Sequence, residues 1–320
     1  MEIKFEIKKT TELTDVEFAQ IVSLFETVFE RPTSVVALRR AYLSTPLGYS
    51  YHSIMKDDDV VCGLNSFVPS YFKYHGEKYL FASSVTTMVD KKHRGVTNFY
   101  KIVSKAYPYL KDNGVQLVYA YPNDNSYFVF TKMKLTRDVG EMNTYCLPLR
   151  VGRIKSKFKV LTPFSLIACR CWVFMMGLFA STKQFSFPIE KDIETYDPPR
   201  YSKNINDVYQ SVWINDAVMH YRIKEHEGVR TAFIIDVSKK TSKNYVDSVK
   251  YLIKNEGKNI DLILYPGLLP FKVTGMIRIP KKFAPKRLSL TVMALEENLF
   301  GDDIWKINNW DTNLSNYDLI

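Results

Sequence analysis

Four cysteines and five histidines among 320 residues leave little material for metal chemistry. Cys62 and Cys146 stand apart, and Cys169-Arg-Cys171 lacks the spacing of a common zinc module. His52, His75, His93, His220 and His226 form neither an H-x-x-x-H nor an H-E-x-x-H pattern, so no metal is expected. No secretory leader is read at the start, and free thiols in a reducing cytoplasm are the expectation. No Lys/Arg-rich block is interleaved with a nucleic-acid motif, which argues against nucleic acid as a partner. Charge is not excessive either. Charged residues make up 24% of the chain and apolar ones 46%, which excludes wholesale disorder and allows one large or two medium domains.

What is present is positive charge, a formal +10. A basic protein suits a polyanion such as a nucleotide cofactor or a phospholipid surface. The stretch that gives this charge a place is Val85 to Leu135. It opens as a strand over Ser84–Val89 and crosses a polar, basic turn at Asp90–Thr97. A helix follows, with apolar positions at Phe99, Ile102, Val103, Ala106 and Leu110, and Asn113-Gly114 stops it. A second strand, Val115–Tyr121, then leads through Pro122-Asn123 into another helical run ending at Met133. Strand, basic turn, helix, strand is a βαβ unit with an anion site where the first helix begins.

The rest of the first half fits around this unit. Ile3–Ile7 alternates as a half-buried strand, and Thr14-Asp15 caps a helix striped by Phe18, Ile21, Val22, Phe25 and Val28. A short helix, Ser34–Leu43, is followed by strands Tyr49–Met55 and Val60–Val68 and by a hairpin around His75-Gly76. Val139–Leu149 supplies closing strands. A basic run follows, Arg150, Arg153, Lys155, Lys157 and Lys159, and then the most apolar stretch, Val160–Ala180. Arg170 in its middle counts against a lone membrane span, costing roughly 2.5–3.5 kcal/mol. Two readings stay open for residues 150–180: a helix packed between two domains, which leads, or a helix on an anionic bilayer with its basic run on the headgroups.

The pattern then restarts with a strand at Phe185–Phe187, a stiff turn at Asp197–Arg200 and a short helix at Asn204–Ile214. Strands are expected at Met219–Lys224 and Val229–Val237, a helix at Ser242–Asn255, and strands at Ile260–Tyr265, Phe271–Ile279 and Leu288–Leu295.

Val89, Lys91, His93, Arg94, Gly95, Val96, Thr97, Asn98 and Phe99, followed by Asn123 and Ser126, resemble the acetyl-CoA site of Gcn5-related N-acetyltransferases (GNAT), whose loop reads R-G-x-G. The likeness is nearest to a bacterial branch with two such domains in tandem. The resemblance implies an α/β (α+β) fold of two acyl-CoA N-acyltransferase-like domains, each a mixed, mostly antiparallel sheet flanked by helices. Residues 1–149 would be the first domain, 150–183 a linker helix and 184–320 a degenerate second domain that lacks the loop. The tail from Trp305, with Trp310, Asp311, Asn316, Tyr317 and Asp318, resembles the aromatic-acidic ending of that branch.

The resemblance also implies roles. Acetyl-CoA would be the co-substrate, with its pyrophosphate on Gly95, Val96, Thr97, Asn98 and Phe99 and on the charge of Arg94 and Lys92. Pantetheine would lie along Thr87, Met88 and Val89, facing Asn123, with Ser126 opening the next helix. Departures bear on catalysis. Thr97 replaces the second loop glycine. Phe130 stands where the family carries an acidic aromatic hydroxyl, so Tyr127 is the substitute acid and Asp124 the candidate base. The acceptor would be a small amine, an amino sugar of a surface-polysaccharide or cell-wall precursor that can be lipid-linked. The alternatives are an aminoacyl-tRNA-dependent transferase of the same double fold, in which tRNA would be the polyanion, and a non-catalytic binding module. A cytoplasmic enzyme, peripheral at the inner membrane face, is the expected location.

Overall fold

The computed structural model describes residues 3–192, 194–195, 209–284 and 287–317. They divide into two compact units that interleave along the chain. The first takes Met1–Glu141, a segment from Pro188, and Leu288–Trp310. The second takes Met142–Phe187, a segment up to Arg287, and the chain from Asp311. The boundaries expected at 149 and 184 therefore differ from the observed ones. The reason is the strand at Ser289–Ala294, which leaves the C-terminal half and completes the first sheet. Periodicity marked that strand but carried no information about its neighbour.

The first sheet is made of β1 (Ile3–Lys9), β2 (Tyr51–Asp57), β3 (Val60–Tyr74), β4 (Glu77–Val89), β5 (Leu117–Ala120), β6 (Arg137–Glu141), β8 (Ile189–Lys191) and β14 (Ser289–Ala294). Their order is β1-β2-β3-β4-β5-β14-β6, with β8 on the far end of β3. The strand expected at Val60–Val68 and the first arm of the hairpin around His75-Gly76 are a single long strand, β3. It turns at His75-Gly76, where both residues have positive φ, as a tight hairpin requires. β4 and β5 run parallel and are bridged by α3 (Val96–Ser104) and α4 (Ala106–Asp112). The single helix expected over this span is thus two.

Helix α1 (Asp15–Phe29) begins in a capping box. Thr14 Oγ1 accepts from Glu17 N at 3.1 Å, and Thr14 N donates back to the Glu17 carboxylate at 2.9 Å. Glu17 also accepts from Lys56 on β2 at 2.8 Å and from Lys8 on β1 at 2.5 Å. Burial alone would raise its pKa, but the Lys56 and Lys8 hydrogen bonds outweigh it and hold the carboxyl at about 2. The helix cap and the sheet edge therefore share one carboxylate. Helix α2 (Val35–Leu43), capped by Ser34, packs Leu38 and Tyr42 into the same core.

The second sheet has the order β13-β7-β12-β11-β10-β9, made of β7 (Asn143–Pro148), β9 (Gln210–Ile214), β10 (Ala217–His226), β11 (Val229–Val237), β12 (Leu262–Gly267) and β13 (Ile277–Ile279). Its parallel pair, β11 and β12, is bridged by α8 (Ser242–Asn255), whose buried side is formed by Tyr245, Val246, Val249, Leu252 and Ile253. The helix expected up to Ile214 is instead β9 where it is described, and the strand expected at Phe185–Phe187 is irregular. The turn at Asp197–Arg200, the start of the run from Asn204, and Asp318 lie outside the described residues. Helix α7 (Thr162–Leu178), preceded by the single turn α6 (Val151–Ile154), belongs to this second unit rather than to a linker.

His52 on β2 is fully buried between Thr10 Oγ1 at 2.8 Å and Ser66 Oγ at 3.0 Å. Burial pushes its pKa down to about 3, so the folded state holds the ring neutral. A group depressed below its unfolded value of about 6.5 gives its full stabilisation above that pH and loses it as the pH falls. Stability should therefore drop by about 2 kcal/mol between pH 7.5 and pH 5, a range above the titration of the paired carboxylates. Urea unfolding at the two pH values measures this. Equal free energies would show that His52 is protonated or solvated in the native state.

Candidate acyl-CoA site

One extra residue in β4 shapes this region. Leu64 and Ser66 of β3 face Met88 and Val85 of β4, so two steps on one strand meet three on the other. The bulge holds Thr86 at φ +52°, an uncommon conformation for a β-branched residue. The buried Asn65 beneath it accepts from Ser84 Oγ at 3.1 Å and from Thr87 Oγ1. Pairing with β5 covers only Phe81–Ser84. From Val85 to Val89 the β4 edge runs on past the end of β5, and the two parallel strands part.

Thr87, Met88 and Val89, the expected pantetheine strand, form this unpaired edge. Their side chains are committed elsewhere: Thr87 to Asn65, Met88 and Val89 to two different core clusters. What remains for a ligand is backbone, as an added strand would use it.

The turn after β4 is braced from within. Lys92 N donates to Asp90 Oδ1 at 2.9 Å, and Asp90 N to Cys62 O at 2.7 Å. The His93 ring lies 3.0 Å from Asp57 Oδ2 and 3.4 Å from Asp90 Oδ1, which ties the turn to the end of β2. The Lys92 backbone hydrogen bond, with help from His93, lowers the Asp90 pKa. Arg94 Nε donates to Val89 O at 3.2 Å, which leaves the exposed remainder of its guanidinium for solvent or ligand. Asn98 Nδ2 donates to His93 O at 2.8 Å and closes the turn against α3.

Helix α3 starts at Gly95 with no side-chain cap. Its first N–H groups lack intrahelical acceptors, and a Cβ at Gly95 would meet nothing within 4 Å. Gly95, Val96 and Thr97 are exposed, and Asn98 is half-buried. The expected set is thus brought together around open backbone donors at a positive helix end, which fits a pyrophosphate. Phe99 is the exception in kind: its ring packs edge-on to Phe130 at 5.5 Å, so only its backbone can take part.

The corresponding helix of the second unit shows what a closed start looks like. Thr241 Oγ1 accepts from Asn244 N at 3.0 Å, and Thr241, Ser242 and Asn244 are buried. The adjacent Lys240 is ion-paired with Asp236 and lies 3.5 Å from Asp311. Burial opposes its charge, but the two carboxylates outweigh that and raise its pKa far above the usual lysine value. No anion site is left there.

The second strand delivers less than expected. Asn123 caps α5 (Asp124–Lys132): its Oδ1 accepts from Ser126 N at 3.0 Å and from Ser126 Oγ at 3.1 Å. Both residues satisfy each other, and only the Asn123 amide nitrogen is left to face a ligand. Asp124 is exposed in the first turn, one turn before Tyr127, and is not on the wall of the cleft that Tyr127 borders. Phe130 is core. Tyr127 borders a cleft of about 530 Å³ together with Thr131, Lys134, Arg137, Asp138 and Trp305. Arg137 lies 4.7 Å over the Trp305 ring. Sequence reading missed Asn65, the bulge at Thr86 and this cleft, because its walls come from α5, β6, β14 and the stretch beyond β14. Among the described residues no group of three or more His, Cys, Asp or Glu gathers as metal ligands.

Removing the Asn65 carboxamide would orphan the Ser84 and Thr87 hydroxyls. Asn65→Ala should cost about 1–3 kcal/mol, and Thr87→Val less because it leaves Asn65 bonded to Ser84. Urea denaturation of the two variants measures this. A loss below about 0.5 kcal/mol for Asn65→Ala would show that the bulge holds itself.

The family model for the GNAT acetyltransferase domain matches residues 9–132. No curated protein matches the chain. Among solved structures, a GCN5-related N-acetyltransferase from Anabaena variabilis superposes with a TM-score of 0.58 at 10% identity, covering 91% of this chain and 73% of that one. A probable N-acyltransferase from Enterococcus faecalis gives 0.55 at 11% identity, over 92% and 73%. Eis1 from Mycobacterium abscessus gives 0.54 at 12%, over 92% and 75%. At such identities the likeness concerns the fold, a pair of mixed, mostly antiparallel sheets flanked by helices. Residues 9–132 thus resemble a GNAT acetyltransferase domain, and the chain as a whole shares the fold of these structures.

Proposed function

We propose that the protein transfers an acetyl group from acetyl-CoA to a small primary amine. The observation that carries this reading is the conjunction at the end of β4: a bulged strand whose edge outruns β5, continuing into a helix that begins without a cap. The residues fit acetyl-CoA in kind. Open N–H groups at Gly95–Asn98 and the exposed Arg94 suit a pyrophosphate, and the β4 edge suits the amide groups of pantetheine. A backbone N–H on that edge can hold the thioester carbonyl and stabilise the oxyanion that forms on attack.

Direct transfer then needs two proton movements. The attacking amine must lose a proton, and the departing thiolate must gain one. Tyr127, on the cleft and about one turn into α5, is the residue we assign to the second task. The first falls to water. Asp124 is not brought to the cleft.

For the acceptor, the cleft offers the Asp138 carboxylate to an ammonium group and Lys132, Lys134 and Arg137, the last lying over the Trp305 ring, to an anionic substituent. An amino sugar on a phosphate-bearing carrier has both features, which supports the polysaccharide-precursor class implied by the tandem-domain resemblance. The burial of Phe130 favours a second reading, a binding module without turnover. Product formation separates the two.

Calorimetry with acetyl-CoA should detect binding, and Arg94→Ala should weaken it about 10-fold, equivalent to about 1.4 kcal/mol. Absence of binding at about 1 mM would defeat the reading. In an amino-sugar acetylation assay, Tyr127→Phe should lower kcat at least ~10-fold at unchanged acetyl-CoA affinity, and Asp138→Asn should raise KM for the amine. Unchanged turnover in Tyr127→Phe would remove Tyr127 from the mechanism.

A further inference from the structure

Helix α7 is the most apolar segment of the chain, and most of it faces outward. Cys169 and Val173 are its only buried positions among the described residues. On that inner side Ser165 Oγ donates to Leu149 O at 2.8 Å, Cys169 Sγ donates to Pro148 O at 3.4 Å, and Gly177 passes so close to Lys250 of α8 that a Cβ would lie 2.5 Å from its Nζ. The helix is fixed to the second unit along one narrow strip. The opposite side carries Phe164, Ile167, Cys171, Phe174, Met175 and Leu178, at spacings of three and four. Phe164, Phe174 and Leu178 are each at least 66% exposed. Soluble proteins rarely leave so continuous an apolar stripe open to water.

The charge around this stripe is one-sided. From Met142 to Ile189 there is no aspartate or glutamate, whereas Arg150, Arg153, Lys155, Lys157, Lys159, Arg170 and Lys183 are all present. Arg150 is spent inside the fold, where its guanidinium donates to the carbonyls of Gly257, Lys258 and Ile260. Arg153, Lys155, Lys157 and Lys159 are exposed just before the helix. A cleft of about 540 Å³ opens at Thr162, the first residue of α7; Arg153, Arg230 and Lys258 line it together with Glu225 and Asp261, so the one-sided charge is that of the segment itself. Arg170, which weighs against a spanning helix, sits at the border of the apolar stripe. From there a long side chain reaches the polar layer.

We propose that α7 docks flat on an anionic phospholipid bilayer. Its Phe164–Leu178 stripe enters the boundary between headgroups and acyl chains, and the Arg153–Lys159 run rests on the headgroup phosphates. Spanning is excluded by the inner strip, because Cys169 and Val173 are held in protein. A protein partner covering the stripe would need no such excess of cations, and the absence of any acid over the whole segment is what a negative surface demands. This surface is independent of the acyl-transfer reading.

Flotation of the full-length protein with phosphatidylglycerol/phosphatidylcholine vesicles tests it. The protein should float at about 0.05 M salt, and at least ~10-fold less should be bound on phosphatidylcholine alone or at about 0.5 M salt. Lys155→Glu/Lys157→Glu and, separately, Phe164→Glu/Phe174→Glu should each reduce flotation at least ~10-fold. Both should keep the wild-type melting temperature, because the altered side chains are exposed. Failure of the wild type to float on anionic vesicles at low salt overturns the proposal. So does flotation unaffected by Phe164→Glu/Phe174→Glu. So does a wild-type dimer that this variant dissociates, if the monomer and dimer alike ignore vesicles.

Discussion

The site depends on one residue too many in β4. A regular strand ending at Val89 would keep its register with β3 and offer a flat edge. The bulge at Thr86 instead increases the local twist and turns the strand end away from the line of β5. A β-branched residue at positive φ costs on the order of 1–2 kcal/mol. Asn65, buried on β3, offsets this by bonding Ser84 before the bulge and Thr87 after it. Strain held by a buried polar clamp fixes where the edge amides point, and the first turn of α3 follows from where that edge ends.

The two units contain the same crossover and end it differently. Both join a parallel strand pair through a helix, β4 to β5 and β11 to β12. In the first, the helix start is exposed and uncapped. In the second, Thr241 caps it and Lys240 is neutralised by Asp236 and Asp311. Asp236 also accepts from Asn313 at 2.8 Å and from Ser315 at 3.3 Å, so the end of the chain is knotted into the same buried cluster. Such a cluster is weak evidence for stability, because its three charges lose their water. It also crowds out ligands: Asn244 N is taken by Thr241, Lys243 N by Ser181 O, and the Lys240 ammonium by carboxylates.

Much of this was legible. Thr14 and the stripe Phe18–Phe25 announced α1, Tyr245, Val249 and Leu252 announced α8, and the turn from Asp90 to Thr97 announced a helix start that could hold an anion. Those signals are local, a matter of caps and periods. Contacts between distant segments left no trace. Nothing in Ser-Ser-Val-Thr-Thr-Met-Val contains a glycine to mark a bulge, and the asparagine that holds it lies about twenty residues upstream. Asn123 was legible as a residue facing the ligand, and its bonds to Ser126 make it the cap of α5 instead. Leu288–Leu295 read correctly as a strand, but its place between β5 and β6 came only from the fold.

That last placement bears on how the chain can be divided. β5 has four residues and pairs with β4 over all of them on one side and with β14 over all of them on the other. Without β14 its outer edge, and the facing edge of β6, would present bare amides and carbonyls. Val292 and Leu290 would also be missing from the cluster that packs Phe72, Phe81, Tyr119 and Trp310. The uncapped turn after β4 lies in the first 132 residues, but the sheet that supports it is closed by residues from 289 to 294. A chain cut where the apolar helix begins would therefore keep the recognisable sequence and lose part of the structure that positions it. The stretch that resembles a GNAT domain is contiguous, and the fold that holds it in place is not.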